Sequence, residues 1–133
     1  MIYCLDTNIV IYALNRSNER LTRQLRATKP MRIKVPEMVR AELLFGASKS
    51  SRNAAALSAV EAFLEPYELL PFAGDAAEHY AEIRGRLEKK GKVIGPADLI
   101  IAATARAAGA VLVTHNTKEF ARVPGLQIED WTK

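Results

Sequence analysis

Short β-prone apolar runs alternate with helical stretches along all 133 residues, and this alternation most constrains how the chain can fold. Ile2–Leu5, Ile33–Val35, Tyr67–Phe72 and Ala110–Thr114 read as strands, with Leu126–Ile128 a candidate fifth. Helical patterns lie between them. Ile9–Leu14 is apolar, Glu19–Thr28 is basic with Leu21 and Leu25 on one face, and Glu37–Ala47 follows Pro36. Asn53–Leu64 is Ala-rich, and Asp75-Ala-Ala-Glu78 resembles a capping box for a helix ending near Gly91. Gly95-Pro96 opens a further helix through Ala108. Without repeats or a linker, the pattern predicts a single domain over residues 1–133: a three-layer α/β fold around a mostly parallel sheet of four to five strands. Such folds gather their chemistry outside the carboxyl ends of the strands, so Asp6 and Thr114-His115-Asn116 are expected on one edge.

Charge is unevenly distributed along this scaffold. The formal net charge of +4 divides into −1 over residues 1–15, +7 over 16–52, −6 over 53–83, +4 over 84–92 and zero over 93–133. Two basic blocks are therefore separated by an acidic one, which either solvates helix faces or contacts a polyanion. With 49% hydrophobic and 26% charged residues, the chain is not disordered. Its longest uncharged apolar run, Leu99–Ala105, is too short to span a bilayer. Met1 leads straight into an apolar strand, and the single Cys4 leaves no internal disulfide, so a reduced cytoplasmic protein is expected. One Cys and two His also exclude a zinc site built from those residues.

Four acids occupy unusual positions. Asp6 follows the first strand, where a carboxylate caps the next helix or points into the strand-end crevice. Glu42 falls in line with Met38 and Phe45 at i, i+4 and i+7, interrupting an apolar stripe, and is expected buried, either ion-paired to an arginine or facing a metal. Asp98 stands in the first turn of an otherwise apolar helix, where the dipole favours an anion. Glu119 is either the third residue of a short helix capped by Asn116 or part of the same acidic group. Carboxylates brought together from separate elements repel unless neutralised, and all-oxygen ligands suit a hard cation such as Mg²⁺ or Mn²⁺. A cation of that kind promotes hydrolysis at phosphorus, and basic blocks beside it suit a nucleic-acid backbone. The acids are separated by 36, 56 and 21 residues, so no local motif is involved.

Asp6-Thr7-Asn8 after the first strand, Arg40-Ala41-Glu42-Leu43, Gly95-Pro96-Ala97-Asp98-Leu99-Ile100-Ile101-Ala102 and Thr114–Phe120 together resemble a PIN domain across essentially the whole chain. The pattern looks like the VapC toxin branch of type II toxin–antitoxin modules. The tail Phe120–Trp131 is especially similar to VapC toxins that cleave initiator tRNA in its anticodon loop. The resemblance implies a Mg²⁺-dependent endoribonuclease (with Mn²⁺ as a substitute) whose catalytic acids carry over to Asp6, Glu42, Asp98 and Glu119, with Asp6 and Asp98 as the metal ligands. Many PIN domains have an acid where Asn116 stands, so the fourth acidic role falls to Glu119 or is shared through water. Thr7, Asn8, Thr114 and Asn116 are expected to support the carboxylates by hydrogen bonding. Arg16, Arg20 and Arg23, and Lys89, Lys90 and Lys92, are candidate RNA contacts. The family also implies a VapB-type antitoxin partner and toxin homodimers in a larger complex. Leu14, Leu21, Leu25, Leu44 and Phe45 are candidates for the antitoxin groove, or else core.

Two other functions fit the same residues: a PIN nuclease of RNA maturation, and a non-catalytic RNA-binding module with a degenerate acidic pocket. A haloacid-dehalogenase-type phosphatase is disfavoured, because Asp6-Thr7-Asn8 lacks the second acid of its first motif.

Overall fold

The computed structural model describes residues 1–133 and contains five parallel strands. Strand β1 (Tyr3–Leu5) lies at the centre, paired to β2 (Ile33–Pro36) on one side and to β4 (Val111–Val113) on the other. Beyond them lie the edges, β3 (Glu68–Leu70) against β2 and β5 (Ile128–Glu129) against β4, giving the order β3-β2-β1-β4-β5. The central strands are apolar on both faces, as a sheet covered on both sides requires. Cys4, Leu5, Ile33, Val35, Leu112 and Val113 are all fully buried.

Helices α1 (Thr7–Asn15), α2 (Glu19–Ala27), α3 (Glu37–Ser48), α4 (Asn53–Leu64), α5 (Ala76–Lys89), α6 (Pro96–Ala107) and α7 (Thr117–Phe120) connect the strands. No helix is long and apolar enough to cross a membrane. Helix α6 is the most deeply packed, burying Leu99 and every residue from Ile101 to Ala105. It runs antiparallel to α5, since Arg106 near its C-terminus bonds His79 (2.8 Å) and Glu82 (2.7 Å) near the α5 N-terminus. Trp131 packs edge-on against Tyr3, ring centroids 5.0 Å apart, and ties the C-terminal tail to the central strand.

Several local expectations change. The edge strand β3 pairs over only three residues of the expected Tyr67–Phe72, and β5 lies later than Leu126–Ile128. Asp75 does not cap α5 through its side chain, which instead lies 3.9 Å from His79. On α3 the buried stripe is Val39, Leu43 and Ala47, one residue along from the expected Met38–Glu42–Phe45 line. Phe45 is 65% exposed, and Glu42 is half-buried beside the core rather than inside it. Leu21 is fully buried core and belongs to no surface groove, whereas Leu14, Leu25 and Leu44 are partly buried against that core.

The strand order creates the site. From β1 the chain winds outward through β2 to β3, then crosses back to β4 and winds outward to β5. The winding therefore reverses between β1 and β4, and a crevice opens at their carboxyl ends, where Asp6 and Thr114 stand.

Candidate active site

Asp6 both caps a helix and lines the crevice. It is 4% exposed, and its Oδ1 accepts the Ile9 N–H at 2.9 Å in the first turn of α1. Burial raises its pKa, while the bonds from the Thr114 hydroxyl and the Ile9 amide lower it. The charges of Glu42 and Asp130 push it up again.

Glu42 comes from α3 and is held by Thr7, whose Oγ1 donates to Glu42 Oε1 at 2.5 Å. The nearby Arg40 pairs with Glu37 instead, so the expected arginine partner is absent. Glu119 comes from α7. Asn116 does not cap that helix by its side chain. Its Nδ2 donates to Glu119 Oε2 at 2.8 Å, and its backbone N–H donates to the Thr114 hydroxyl at 2.9 Å.

Asp98, in the first turn of α6, records how close the four acids are. Burial, then the charges of Glu119, Glu42 and Asp6, raise its pKa to about 6, and its carboxyl lies near enough to Glu119 to share a proton. Four chain-distant elements thus deliver four carboxylates to one edge, and none takes part in any of the five Lys or Arg ion pairs of the molecule.

Such a donor set, all carboxylate oxygen and unpaired with any Lys or Arg, fits a hard divalent cation. No three of the acids yet converge on one ligating point, so the pocket is assembled in charge but not closed in geometry. The cavity between α5 and α6, about 250 Å³ and lined by Tyr80, Leu87, Val93, Ile94 and Leu99 among others, contains none of the four.

The remaining expected residues divide into those at the site and those around it. Thr7, Thr114 and Asn116 make the hydrogen bonds described above. Asn8, in the first turn of α1, is exposed and makes no hydrogen bond to the acids. Arg16 is exposed at the α1 C-terminus, in the left-handed conformation (φ 51°). Arg20 and Arg23 line a cavity of about 350 Å³ with Asp130, Trp131 and Lys133. Lys89, Lys90 and Lys92 are exposed at the end of α5, immediately before the turn that leads to Asp98. One basic block thus lies beside Asp130, and the other precedes Asp98 along the chain.

His115 lies on the edge where the sequence predicts it, but its pairing with Asp130 has no signal there. Asp130, just past β5, bonds His115 just past β4 at 3.0 Å, and its charge reaches Asp6. These residues meet only because β4 and β5 pair, which local spacing does not reveal.

A model of the PIN domain matches residues 3–126. The chain is 42% identical to ribonuclease VapC2 of Rickettsia felis over the full length of both. It is 36% identical to the tRNA(fMet)-specific endonuclease VapC of Salmonella typhimurium over 97% of each. Among solved structures, VapBC2 of Rickettsia felis bound to a promoter DNA fragment superposes with a TM-score of 0.93, at 40% identity over 98% of this chain and 99% of that one. VapBC-1 of nontypeable Haemophilus influenzae superposes with a TM-score of 0.90 at 36% identity, covering both chains completely. Matched along its sheet, its helices and the acid-bearing segments alike, this chain belongs to the PIN-domain family.

Proposed function

We propose that this protein is the toxin of a VapBC-type type II toxin–antitoxin pair, a Mg²⁺-dependent endoribonuclease that blocks translation by cutting tRNA, with the initiator tRNA anticodon loop as its target. The observation that carries this reading is the cluster of four carboxylates without Lys or Arg partners at the switch point of the sheet, with Asp98 raised to about 6 by burial and by its acidic neighbours. Relatives named VapC ribonuclease and tRNA(fMet)-specific endonuclease, at 34–42% identity, support the substrate class.

Asp6 and Asp98 would hold the cation, and Glu42 and Glu119 would complete the pocket. When bound, the cation supplies Lewis acidity and neutralises charge on the phosphoryl oxygens. Thr7 keeps the Glu42 carboxylate oriented, and Asn116 does the same for Glu119. Glu119, beside Asp98, offers a carboxylate oxygen that would take up the proton released by the attacking water. Arg20, Arg23 and the Lys89–Lys92 block hold backbone phosphates on either side, so that one phosphodiester rests against the acids. The partner is a VapB-type antitoxin, with toxin homodimers inside a larger complex; similarity to chains solved as VapBC complexes supports the antitoxin pairing. The work is done by a single domain, residues 1–133, in the cytoplasm.

Incubating the purified protein with total tRNA, in Mg²⁺ and in EDTA, tests the assignment. Cutting of one tRNA species in its anticodon loop is expected with Mg²⁺ only, and is lost in Asp98→Asn. No cleavage in Mg²⁺, or equal cleavage by Asp98→Asn, overturns it.

A further inference from the structure

His115 is held by a network that fixes which of its ring nitrogens carries the proton. Its Nδ1 lies 3.0 Å from Asp130 Oδ2 and 3.1 Å from Thr132 Oγ1. Thr132 Oγ1 has already committed its own proton to Asp130 Oδ1, which also accepts the Thr132 backbone N–H at 2.9 Å. Both oxygens facing Nδ1 are therefore acceptors, so Nδ1 carries a proton, and in the neutral tautomer it is Nε2 that carries none. Nε2 is left as a hydrogen-bond acceptor with no protein partner.

His115 lines an open cavity of about 210 Å³ together with Tyr12, Ser17, Asn18 and Thr132. Most polar groups around it are already used. Ser17 Oγ donates to the Tyr12 carbonyl, Asn18 Oδ1 accepts the Leu21 N–H, and Asn18 Nδ2 donates to the Thr132 carbonyl. The Tyr12 ring stands edge-on to His115, centroids 5.9 Å apart. Besides the Tyr12 hydroxyl, the cavity presents one aromatic wall and the His115 acceptor, a pairing that suits a nucleoside stacked on the wall with a hydroxyl directed at the acceptor. It adjoins the acids, because Thr114, next to His115, bonds Asp6, and Asp6 is the cap of the helix carrying Tyr12.

We propose that Tyr12 and His115 form a nucleoside subsite beside the carboxylate crevice, in which His115 Nε2 accepts the ribose 2′-hydroxyl of a nucleotide flanking the scissile phosphodiester. This rests on the ribonuclease reading above and adds to it a specificity residue: a deoxynucleotide at that position leaves Nε2 without its donor. Asp130 and Thr132 are positioning residues, since they act by fixing the tautomer.

The test uses an anticodon-loop RNA that the wild-type protein cuts, and the same RNA carrying a single 2′-deoxy substitution at each flanking nucleotide in turn. With wild-type protein, one of these substitutions lowers kcat/KM by about threefold to tenfold, the worth of one net hydrogen bond. His115→Phe keeps the ring against Tyr12 and removes the acceptor. It loses the same factor on the all-ribose substrate and nothing further on the deoxy one, with an unchanged Mg²⁺ requirement. A deoxy effect that persists in His115→Phe, or no deoxy effect in wild type, overturns the subsite while leaving the nuclease intact. Failure of the wild-type protein to cut any RNA in Mg²⁺ overturns both.

Discussion

Asp98 ionises among three other carboxylates, which makes the metal-free site a source of instability at neutral pH. Its pKa is about 6 in the folded chain and returns to its ordinary value of 3.8 on unfolding. Between these limits the native state binds more protons than the unfolded state, so stability falls as pH rises from about 4 to about 6. The stabilising contribution is fully present below the lower value and gone above the upper one. Urea unfolding in EDTA between pH 4 and 7.5 should show wild type losing stability relative to Asp98→Asn over this interval, with the variant the more stable at pH 7.5. Adding Mg²⁺ should stabilise wild type and leave the variant almost unmoved, because only a site that binds the ion gains from it. Parallel curves for the two proteins would show that the acids do not interact as their positions imply. The same substitution that removes activity is thus expected to raise metal-free stability, as happens where like charges are assembled for function.

Elements reproduce the alternation read from the sequence, but the faces they present depend on packing that the chain does not spell out locally. Helix α3 carries two adjacent apolar lines, Met38–Phe45 and Val39–Leu43–Ala47, and hydrophobicity alone does not choose between them. The sheet and α6 choose the second, which turns Phe45 outward and brings Glu42 to the crevice rim. A similar ambiguity affects α2, where Leu21 is core and Leu25 only half-buried. Urea denaturation separates these cases: Leu21→Ala should cost about 2–5 kcal/mol, whereas Phe45→Ala should stay within about 0.5 kcal/mol of wild type. Comparable losses would mean that α3 packs through the other line. The acids were legible because each breaks a local pattern: Asp6 at a strand end, Asp98 at the head of an apolar helix, and Glu42 and Glu119 beside apolar neighbours. His115 and Asp130 break none. They are ordinary surface types that acquire a joint role only when β4 and β5 pair, and the idle Asn8 and Asp75 look equally suggestive in sequence.

At the scale of the whole molecule, the +4 charge is a residual of opposed regions rather than a uniform field. Helix α5 ends where α6 begins, so the Lys89–Lys92 block lies just before Asp98, while Arg20 and Arg23 stand near the Asp130 side of the acids. A nucleic-acid strand crossing the carboxyl edge of the sheet would meet cations, then acids, then cations. Phosphates held by the outer regions release counterions, and for a single strand each neutralised phosphate contributes about −0.7 to the slope of log Kobs against log salt. Binding of an anticodon-loop oligonucleotide in EDTA, measured across a salt series, should therefore lose about 2 from the magnitude of that slope when Lys89, Lys90 and Lys92 are all replaced by Ala. Replacing Arg20 and Arg23 by Ala should lose about 1.4. The two losses should add in the five-fold variant, because one block lies on α2 and the other at the end of α5, and they share no ion-pair or hydrogen-bond partner. A slope unchanged by either set would mean that these cations only solvate their helices, and that the strand reaches the acids by another path.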